Sequence, residues 1–233
     1  MKGEIIMDYY FISYGLIGIA LLITTLAQVY VRSTYKKYSE VRNERSINGK
    51  EVARMLLDKN NLNNVNVTEV GGYLSDHYDP RSKTVRLSTS NYNDDSIAGV
   101  AVAAHECGHA IQDKVGYVFL RIRSSLIPLV NFSSFAGYIA IMIGIIFSIA
   151  NLIWVGIILE MVILLFQLIT LPVEFNASKR ALKELNNIGL LNYNELKKSK
   201  KVLVAAALTY VASVTSTLLE ILRLVLLFGR RRR

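Results

Sequence analysis

Long apolar runs without charge constrain this chain more than any other feature of its sequence. The first, Tyr9 to Val31, contains no charged residue. An apolar run of about 20 residues spans the roughly 30 Å hydrocarbon layer of a bilayer as a helix. Basic residues follow the run and no small-residue cleavage site closes it, which argues against a secretory signal peptide. We therefore predict an uncleaved transmembrane anchor over residues 1–31.

Two more apolar runs lie in the second half of the chain, Leu126 to Ala150 and Leu152 to Leu171, with only Asn151 between them. Each run is long enough to cross a bilayer. Helices that are joined by so short a connection are antiparallel neighbours. The pattern predicts a transmembrane helical hairpin over residues 126–172.

The last apolar run, Val202 to Phe228, is interrupted by Glu220 and Arg223. These two residues are three apart, so they lie on one helix face and are predicted to pair with each other. Glu160, inside the third run, is costly to bury in a membrane as an ion, and pairing with Arg223 or protonation accounts for it. Residues 202–233 are predicted to form an apolar helix, spanning or interfacial, and a basic tail.

The basic residues give the chain a formal net charge of +9 and gather beside the apolar runs. Membrane topology requires this distribution, because flanks rich in Lys and Arg stay in the cytoplasm and meet anionic headgroups. No nucleic-acid-binding signature accompanies the charge, so we expect a lipid bilayer and no nucleic acid as partner. A fully spanning last run puts Arg230 to Arg233 on the other side, so the spanning of that run stays open. The region after the anchor is predicted to be cytoplasmic because it begins with five basic residues: Arg32, Lys36, Lys37, Arg42 and Arg45.

The polar region, residues 32–125, contains both helix and strand patterns. Apolar residues at helical spacing mark helices, alternation marks strands, and Gly, Pro and Asp mark turns. The predicted elements are a helix over Asn48–Lys59, a strand over Val65–Val70, a turn over Asp76–Pro80, a half-exposed strand over Lys83–Ser88, and a helix from Ile97 to about Asp113 with Asp94, Asp95 or Ser96 as N-cap.

The helix from Ile97 contains His105-Glu106-Cys107-Gly108-His109, an H-E-x-x-H motif. The i and i+4 spacing puts both imidazoles on one helix face, where they can share a zinc ion. Glu106 lies one step round the helix, close enough to act as general base on a water activated by the metal and then as proton donor to the leaving amine. Two of the chain's three histidines flank this glutamate, so coincidence explains the motif poorly.

A catalytic zinc site needs a third protein ligand beside an open position for water. The position six residues after His109 is Val115, so the extended motif with three histidines is absent. Cys107, the single cysteine, lies on roughly the opposite helix face from His105 and is predicted to be a packed thiol without a disulfide. Asp113 is predicted to be a surface carboxylate. The third ligand must therefore come from another segment.

Glu174 is the best candidate for the third ligand. Pro172 can open a new helix where the hairpin leaves the membrane, and Glu174 then lies in the first turn of a basic helical segment, residues 173–201. An acidic residue in a first turn is also favoured by the helix dipole alone, so spacing leaves both interpretations open. His77, in the predicted turn, is the rival ligand.

Three stretches carry a resemblance to a known family: Leu74 to Pro80, Ala104 to Gln112 around the motif, and Thr170 to Ser178. Together they resemble the YugP-type neutral zinc metallopeptidases of bacterial membranes, and the similarity extends over nearly the whole chain. With the pattern of elements, it predicts a mainly α fold with a small β element, in which a zincin-like metalloprotease domain is inserted between transmembrane helices.

The third stretch is also similar to the E-x-x-x-D signature of gluzincins. There the glutamate is the third zinc ligand and the aspartate orients a ligand histidine, so the likeness implies that Glu174 binds zinc. Ser178 stands at the aspartate position, which departs from the signature and leaves a role there open. In gluzincins an edge strand beside the zinc helix binds the substrate backbone, and the likeness implies that Lys83 to Ser88 is that strand.

The sequence thus predicts a membrane-bound zinc endopeptidase with catalytic Glu106 and the ligands His105, His109 and Glu174. We expect it to act at the inner face of the cytoplasmic membrane on unfolded, membrane-attached or partner-presented polypeptide. A protease that cuts within the bilayer fits less well, because charged residues bound the short zinc helix and no L-D-G motif appears. The alternative is a non-catalytic membrane scaffold whose zinc site is structural or vestigial. Structural sites are closed by four protein ligands, and only three candidates exist here.

Overall fold

The computed structural model describes residues 2–229, with side chains from Phe11 onward. Within this range the chain is mainly helical with one small sheet, which confirms the predicted fold class. The predicted basic tail, Arg230 to Arg233, lies outside the described residues. In chain order the elements are α1 (Lys2–Ser39), α2 (Gly49–Lys59), β1 (Asn66–Val70), β2 (His77–Asp79), β3 (Thr84–Ser88), α3 (Thr89–Asn93), α4 (Ile97–Lys114), α5 (Val118–Ile146), α6 (Ala150–Asn187) and α7 (Tyr193–Phe228).

The chain divides into two compact units. The first consists of Met1–Gln28, Ile122–Leu171 and Thr209–Arg233, and the second of Val29–Arg121 and Pro172–Leu208. The helices α1, α5, α6 and α7 therefore contribute residues to both units. The second unit joins the polar region to the segment that contains Glu174, two stretches that lie far apart in the sequence.

The first unit is built from the apolar parts of long helices. Within the described residues, four helical stretches are long and apolar enough to cross a membrane: Phe11–Ser39, Val118–Ile146, Ala150–Asn187 and Tyr193–Phe228. Large apolar side chains face outward on them; Phe132, Phe135 and Tyr138 are 63%, 70% and 66% exposed. Extensive exposed apolar surface is rare on soluble monomers and is the surface that a lipid environment stabilises.

The predicted hairpin is formed by α5 and α6, but its turn lies at residues 147–149, before Asn151. Ser148 takes a left-handed conformation there, with φ of 56°. In α7, Arg223 Nε donates a hydrogen bond to Glu220 Oε2 at 2.8 Å, as predicted from their spacing. No ion pair joins Glu160 to Arg223 among the described residues, because the guanidinium is engaged within its own helix.

The helix α6 continues through Pro172, so the prediction that this proline opens a new helix is wrong. A proline inside a helix removes one backbone hydrogen bond and costs about 3 kcal/mol. Beyond the proline, Val173, Ala177, Ala181 and Leu185 are almost fully buried along one helix face. Burial of this face favours helix on the far side of the proline and offsets that cost.

The sheet of the second unit has the order β1-β3-β2, with β1 parallel and β2 antiparallel to β3. The strands predicted at β1 and β3 are confirmed. The turn predicted over Asp76–Pro80 is wrong, because His77–Asp79 pair with β3 as a short edge strand. Three residues are too few to show alternation, so backbone pairing alone defines this strand.

The strand β3 lies in the centre of the sheet, and Val85 and Leu87 are fully buried. The prediction that Lys83 to Ser88 form a half-exposed edge strand that binds substrate is therefore wrong. Both edges of β3 are already paired, since β1 and β2 occupy them. The edge strand that contacts α4 is β2.

The helices α2 and α4 pack against each other and against the sheet. At the start of α2, Asn48 and Glu51 form a reciprocal capping box. At the start of α4, Ser96 Oγ accepts a hydrogen bond from the Gly99 N–H at 3.0 Å, so Ser96 is the N-cap among the three candidates. Both predicted helices are confirmed. The short helix α3 was not predicted, because five polar and aromatic residues show no period.

Gly108 allows α4 and α6 to approach each other closely. A Cβ atom built on Gly108 lies only 2.5 Å from the carbonyl oxygen of Ala177 and 3.1 Å from its carbonyl carbon. Both atoms are backbone atoms of a helix, so they cannot move aside by a side-chain rotation. Any residue larger than glycine at this position must push the two helices apart.

We therefore expect Gly108→Ala to lower the free energy of unfolding by about 1–3 kcal/mol, the usual cost of overpacking. The measurement is the thermal unfolding of the detergent-purified chain. Gly71→Ala is the matched control, because no heavy atom lies within 4 Å of a Cβ placed there. Equal melting temperatures for the two variants would contradict the close approach.

Candidate metal centre

His105, His109 and Glu174 bring their ligand atoms within 4.8 Å of one another. The histidines project from α4 and the glutamate from α6. His105 Nε2 lies 3.2 Å from Glu174 Oε2, and His109 Nε2 lies 3.6 Å from the same oxygen. All three side chains are largely buried, with Glu174 only 3% exposed. The two imidazole nitrogens and one carboxylate oxygen therefore converge on one place.

The other nitrogen of each imidazole is held by a polar side chain. His105 Nδ1 lies 3.1 Å from Ser178 Oγ, and His109 Nδ1 lies 3.0 Å from Gln112 Oε1. An imidazole that donates its Nδ1–H presents the lone pair of Nε2. Contacts of this kind fix the tautomer and the ring orientation of metal-binding histidines.

The orientation of the Gln112 amide follows from its other contacts. Its Nε2 donates to the carbonyl oxygen of Val173 at 2.8 Å and to Asn176 Oδ1 at 3.1 Å. Arg180 Nε also donates to Asn176 Oδ1, at 2.7 Å, which identifies that atom as an acceptor. Gln112 therefore turns its oxygen toward His109, and the His109 Nδ1 must be the donor. This network also fastens α4 to α6 beside Glu174.

The two glutamates of the site, Glu174 and Glu106, have pKa values that are shifted in opposite directions. Burial alone raises the pKa of Glu174, but its contacts with the rings of His105 and His109 outweigh burial and hold the pKa below its ordinary value. Glu106 is 7% exposed, and burial raises its pKa to about 7, with His105 opposing the rise and Glu174 adding to it. Glu174 thus favours the anionic form that a metal ligand requires, while Glu106 exchanges a proton near neutral pH.

The edge strand β2 lies beside Glu106. The backbone N–H of Tyr78 lies close enough to the Glu106 carboxylate to oppose the rise of its pKa. The segment before β2 is held by Asp76, which accepts hydrogen bonds from the Ser88 N–H at 2.7 Å and from Asn91 Nδ2 at 2.8 Å. The Tyr78 hydroxyl donates to Asp113 at 2.7 Å, which ties the strand to α4. These contacts fix an extended backbone segment next to the carboxylate.

The side chains present fit a zinc ion. Zinc is bound in proteins by imidazole nitrogen, carboxylate oxygen and thiolate, and catalytic sites have three protein ligands with a fourth position open. The cluster supplies two imidazoles and one carboxylate, and each imidazole is already oriented through its other nitrogen. These three side chains could therefore hold a metal ion such as zinc.

The rival and excluded candidates lie elsewhere. His77 is exposed in β2, its Nδ1 lies 2.8 Å from the carbonyl oxygen of Ser75, and it is outside the ligand cluster. Cys107 is buried on the other face of α4, with its Sγ 3.6 Å from the carbonyl oxygen of Ala53, as a packed thiol. Asp113 is partly exposed and pairs with Lys83 at 2.5 Å.

Two residues of the site were not assigned from the sequence. Gln112 is fully buried, and its only sequence signal is an amide three residues after His109 within a small, apolar helix. Ser178 stands where the gluzincin signature has aspartate, and its role was left open. The structure places its hydroxyl against His105, so this position still contacts a candidate ligand.

Gln112→Leu should weaken zinc binding by about 10–100-fold, the usual effect of losing such a contact to a ligand histidine. Leucine has a similar volume but neither accepts from His109 nor donates to α6. The measurement is zinc affinity by competition with a chelator, and the absorption spectrum of the cobalt-substituted protein reports ligand geometry. Asn63→Leu, at an exposed loop position, is the control. Wild-type affinity and an unchanged cobalt spectrum in Gln112→Leu would contradict the assignment.

Comparison with known proteins agrees with the metal site that the geometry indicates. Residues 13–229 match the model of a family described as "Putative neutral zinc metallopeptidase". The chain is 45% identical over 209 residues to the "Putative membrane protease YugP" of Bacillus subtilis strain 168, an alignment that covers 90% of this chain and 93% of that protein. No solved structure matches the chain. The chain belongs to this neutral zinc metallopeptidase family.

Proposed function

We propose that this member of the family is a membrane-bound zinc endopeptidase. In this proposal His105, His109 and Glu174 hold the zinc ion, and Glu106 is the general base. The observation that carries it is the convergence of three ligand atoms within 4.8 Å beside a buried glutamate. The intact Glu106 and the presence of three rather than four ligands favour catalysis over a structural site in a scaffold.

The chemistry divides between the metal and the protein. A bound zinc ion supplies a Lewis acid that polarises a peptide carbonyl and makes water more acidic. Glu106 takes one proton from the attacking water as its oxygen bonds to the carbonyl carbon. The same carboxyl then gives that proton to the amide nitrogen as the C–N bond breaks. The backbone of Tyr78 in β2 lies beside this carboxylate.

The edge strand β2 favours an extended polypeptide as substrate. Among the described residues, β2 pairs only with β3, so its other backbone edge is unpaired. A peptide that pairs with this edge runs past Glu106, because the backbone of Tyr78 contacts that carboxylate. Pairing of this kind requires an unfolded or locally extended segment. Membrane-attached or partner-presented chains meet this requirement.

The proposed site of action is the cytoplasmic face of the cell membrane. The second unit contains basic residues from both of its chain segments, for example Lys36, Arg42, Lys183 and Lys201. Loops rich in Lys and Arg are retained in the cytoplasm. The corresponding division of the chain is an anchor (1–31), a zincin-like domain (32–125), a hairpin (126–172), a basic helical segment (173–201) and an apolar helix with a basic tail (202–233).

The mechanism predicts different losses for the two glutamates. Glu106→Gln should retain about one zinc per chain and lose cleavage of an unfolded test protein such as fluorescently labelled casein by a factor of about 100 or more. Glu174→Ala should lose zinc itself, because two histidines alone hold the ion weakly. Metal content by mass spectrometry and the cleavage rate are measured on the same preparations.

Glu69→Gln, at an exposed glutamate of β1, is the control and should keep both properties, and His77→Ala should keep its zinc. Cleavage that survives Glu106→Gln would refute the assigned base. Full zinc content in Glu174→Ala together with its loss in His77→Ala would return His77 to the ligand set.

The proposed orientation predicts that a reporter fused after Lys59 reads out as cytoplasmic. Alkaline phosphatase at this position should be inactive and green fluorescent protein should be fluorescent, because the first requires export and the second fails to mature when exported through the general secretory route. The opposite pair of results would place the catalytic domain on the outer face.

A further inference from the structure

A groove separate from the metal cluster lies between α6 and α7. It encloses a cavity of about 540 Å³ within the second unit. Its lining residues recur every three or four positions on each helix, so one face of α6 opposes one face of α7. The short connection between these helices, residues 188–192, makes them antiparallel neighbours.

One part of the groove is basic. Lys179 of α6 and Lys197 and Lys200 of α7 line it, and no carboxylate belongs to the lining. None of the three lysines forms an ion pair with another residue of the described chain. Lys197 Nζ instead lies 5.3 Å from the centroid of the Tyr193 ring. Three ammonium groups around one cavity repel one another unless an anion joins them.

The other part of the groove is apolar. Phe175, Leu203 and Val204 line it, and Phe175 and Val204 remain 50% and 44% exposed. Along each helix these residues lie nearest to the long apolar run of that helix. Phe175 follows the run that ends at Leu171, and Leu203 stands near the start of the run to Phe228. In a helix that crosses a bilayer, such positions lie at the level where headgroups meet acyl chains.

We propose that this groove binds an anionic phospholipid of the surrounding membrane. Its phosphate contacts the three lysines, and the first part of an acyl chain lies on the apolar residues. Lys197 and Val204 are seven residues apart, which is about 10 Å along a helix and fits the step from a headgroup to its acyl chain. A phospholipid has an anionic headgroup followed by an apolar chain, which matches the basic and apolar parts of the groove. An acidic peptide would match the basic part alone.

The lipid site does not overlap the metal cluster. Ser178 lines the groove, and its hydroxyl contacts His105 at Nδ1, the ring nitrogen that faces away from Glu174. A bound lipid therefore lies behind the candidate ligand, with Ser178 between them. Lipid binding and peptide cleavage are independent properties and can fail separately.

The test compares two double variants of α7 in nanodiscs. Lys197→Gln/Lys200→Gln removes charges that line the groove, and Lys198→Gln/Lys201→Gln removes the same charge at the same spacing outside it. The probe is a fluorescent phosphatidylglycerol, titrated into full-length protein in phosphatidylcholine discs. We expect the groove variant to bind the probe about tenfold more weakly or worse, and the control to stay within about twofold of wild type.

Val204→Gln should also weaken the lipid probe, whereas inorganic phosphate at millimolar concentration should not displace it. If both lysine variants lost the same fraction of probe affinity, the effect would be general attraction of basic residues to anionic lipid, and the proposal would be overturned. Equal binding of a phosphatidylcholine probe would overturn its anion selectivity. Full displacement by inorganic phosphate would make the groove a phosphate site rather than a lipid site. Zinc content, measured on every variant, reports the metal centre separately.

Discussion

The packing of α4 against α6 is the contact on which the candidate site depends. Two ligands come from one helix and the third from the other, 65 residues after His109. Only a glycine at position 108 permits the backbone of Ala177 to lie so close. One turn before Ala177 on the same helix lies Glu174, and one turn after Gly108 lies Gln112, whose amide donates to the Val173 carbonyl. Steric fit and a buried hydrogen bond therefore fix the same interface.

This arrangement concentrates polar groups that are costly to bury singly. A buried carboxylate beside two imidazoles is stable when each polar atom has a partner, and here the partners form a continuous chain. Arg180 donates a hydrogen bond to Asn176, Gln112 donates another to Asn176, and the Gln112 oxygen accepts one from His109. The surface arginine thus determines the orientation of a candidate metal ligand through two amides. Preorganisation of this kind reduces the cost of ordering ligands when a metal binds.

Much of the fold was predictable from local sequence, because helix periods and apolar runs are local signals. The H-E-x-x-H motif identified α4 and both histidines, and α2 was read from its spacing and end residues. Pro172 misled the prediction because a local rule for helix starts ignores the buried face from Val173 onward. Ser178 contacts His105 from another helix, and the Gln112 amide is oriented by its contacts with α6, so spacing within one helix does not reveal these roles. Position alone makes Glu174 a candidate but fits an ordinary first helix turn equally well, and the resemblance to gluzincins favours the ligand.

The wrong prediction that Lys83 to Ser88 form an edge strand has a physical reason, which also bears on the proposed binding of substrate. The alternation in Lys83 to Ser88 shows that a strand forms, but it does not show which neighbours the strand has. Central β3 has both backbone edges occupied, so it cannot accept another chain. The three-residue strand β2 carries little sequence signal because its stability comes from pairing and from the contacts of Asp76 and Tyr78. A short edge resists uncontrolled pairing with other chains, yet it still offers a few backbone groups beside Glu106. The shortness that leaves β2 with little sequence signal also limits pairing along its free edge, as the proposed transient binding of an extended substrate requires.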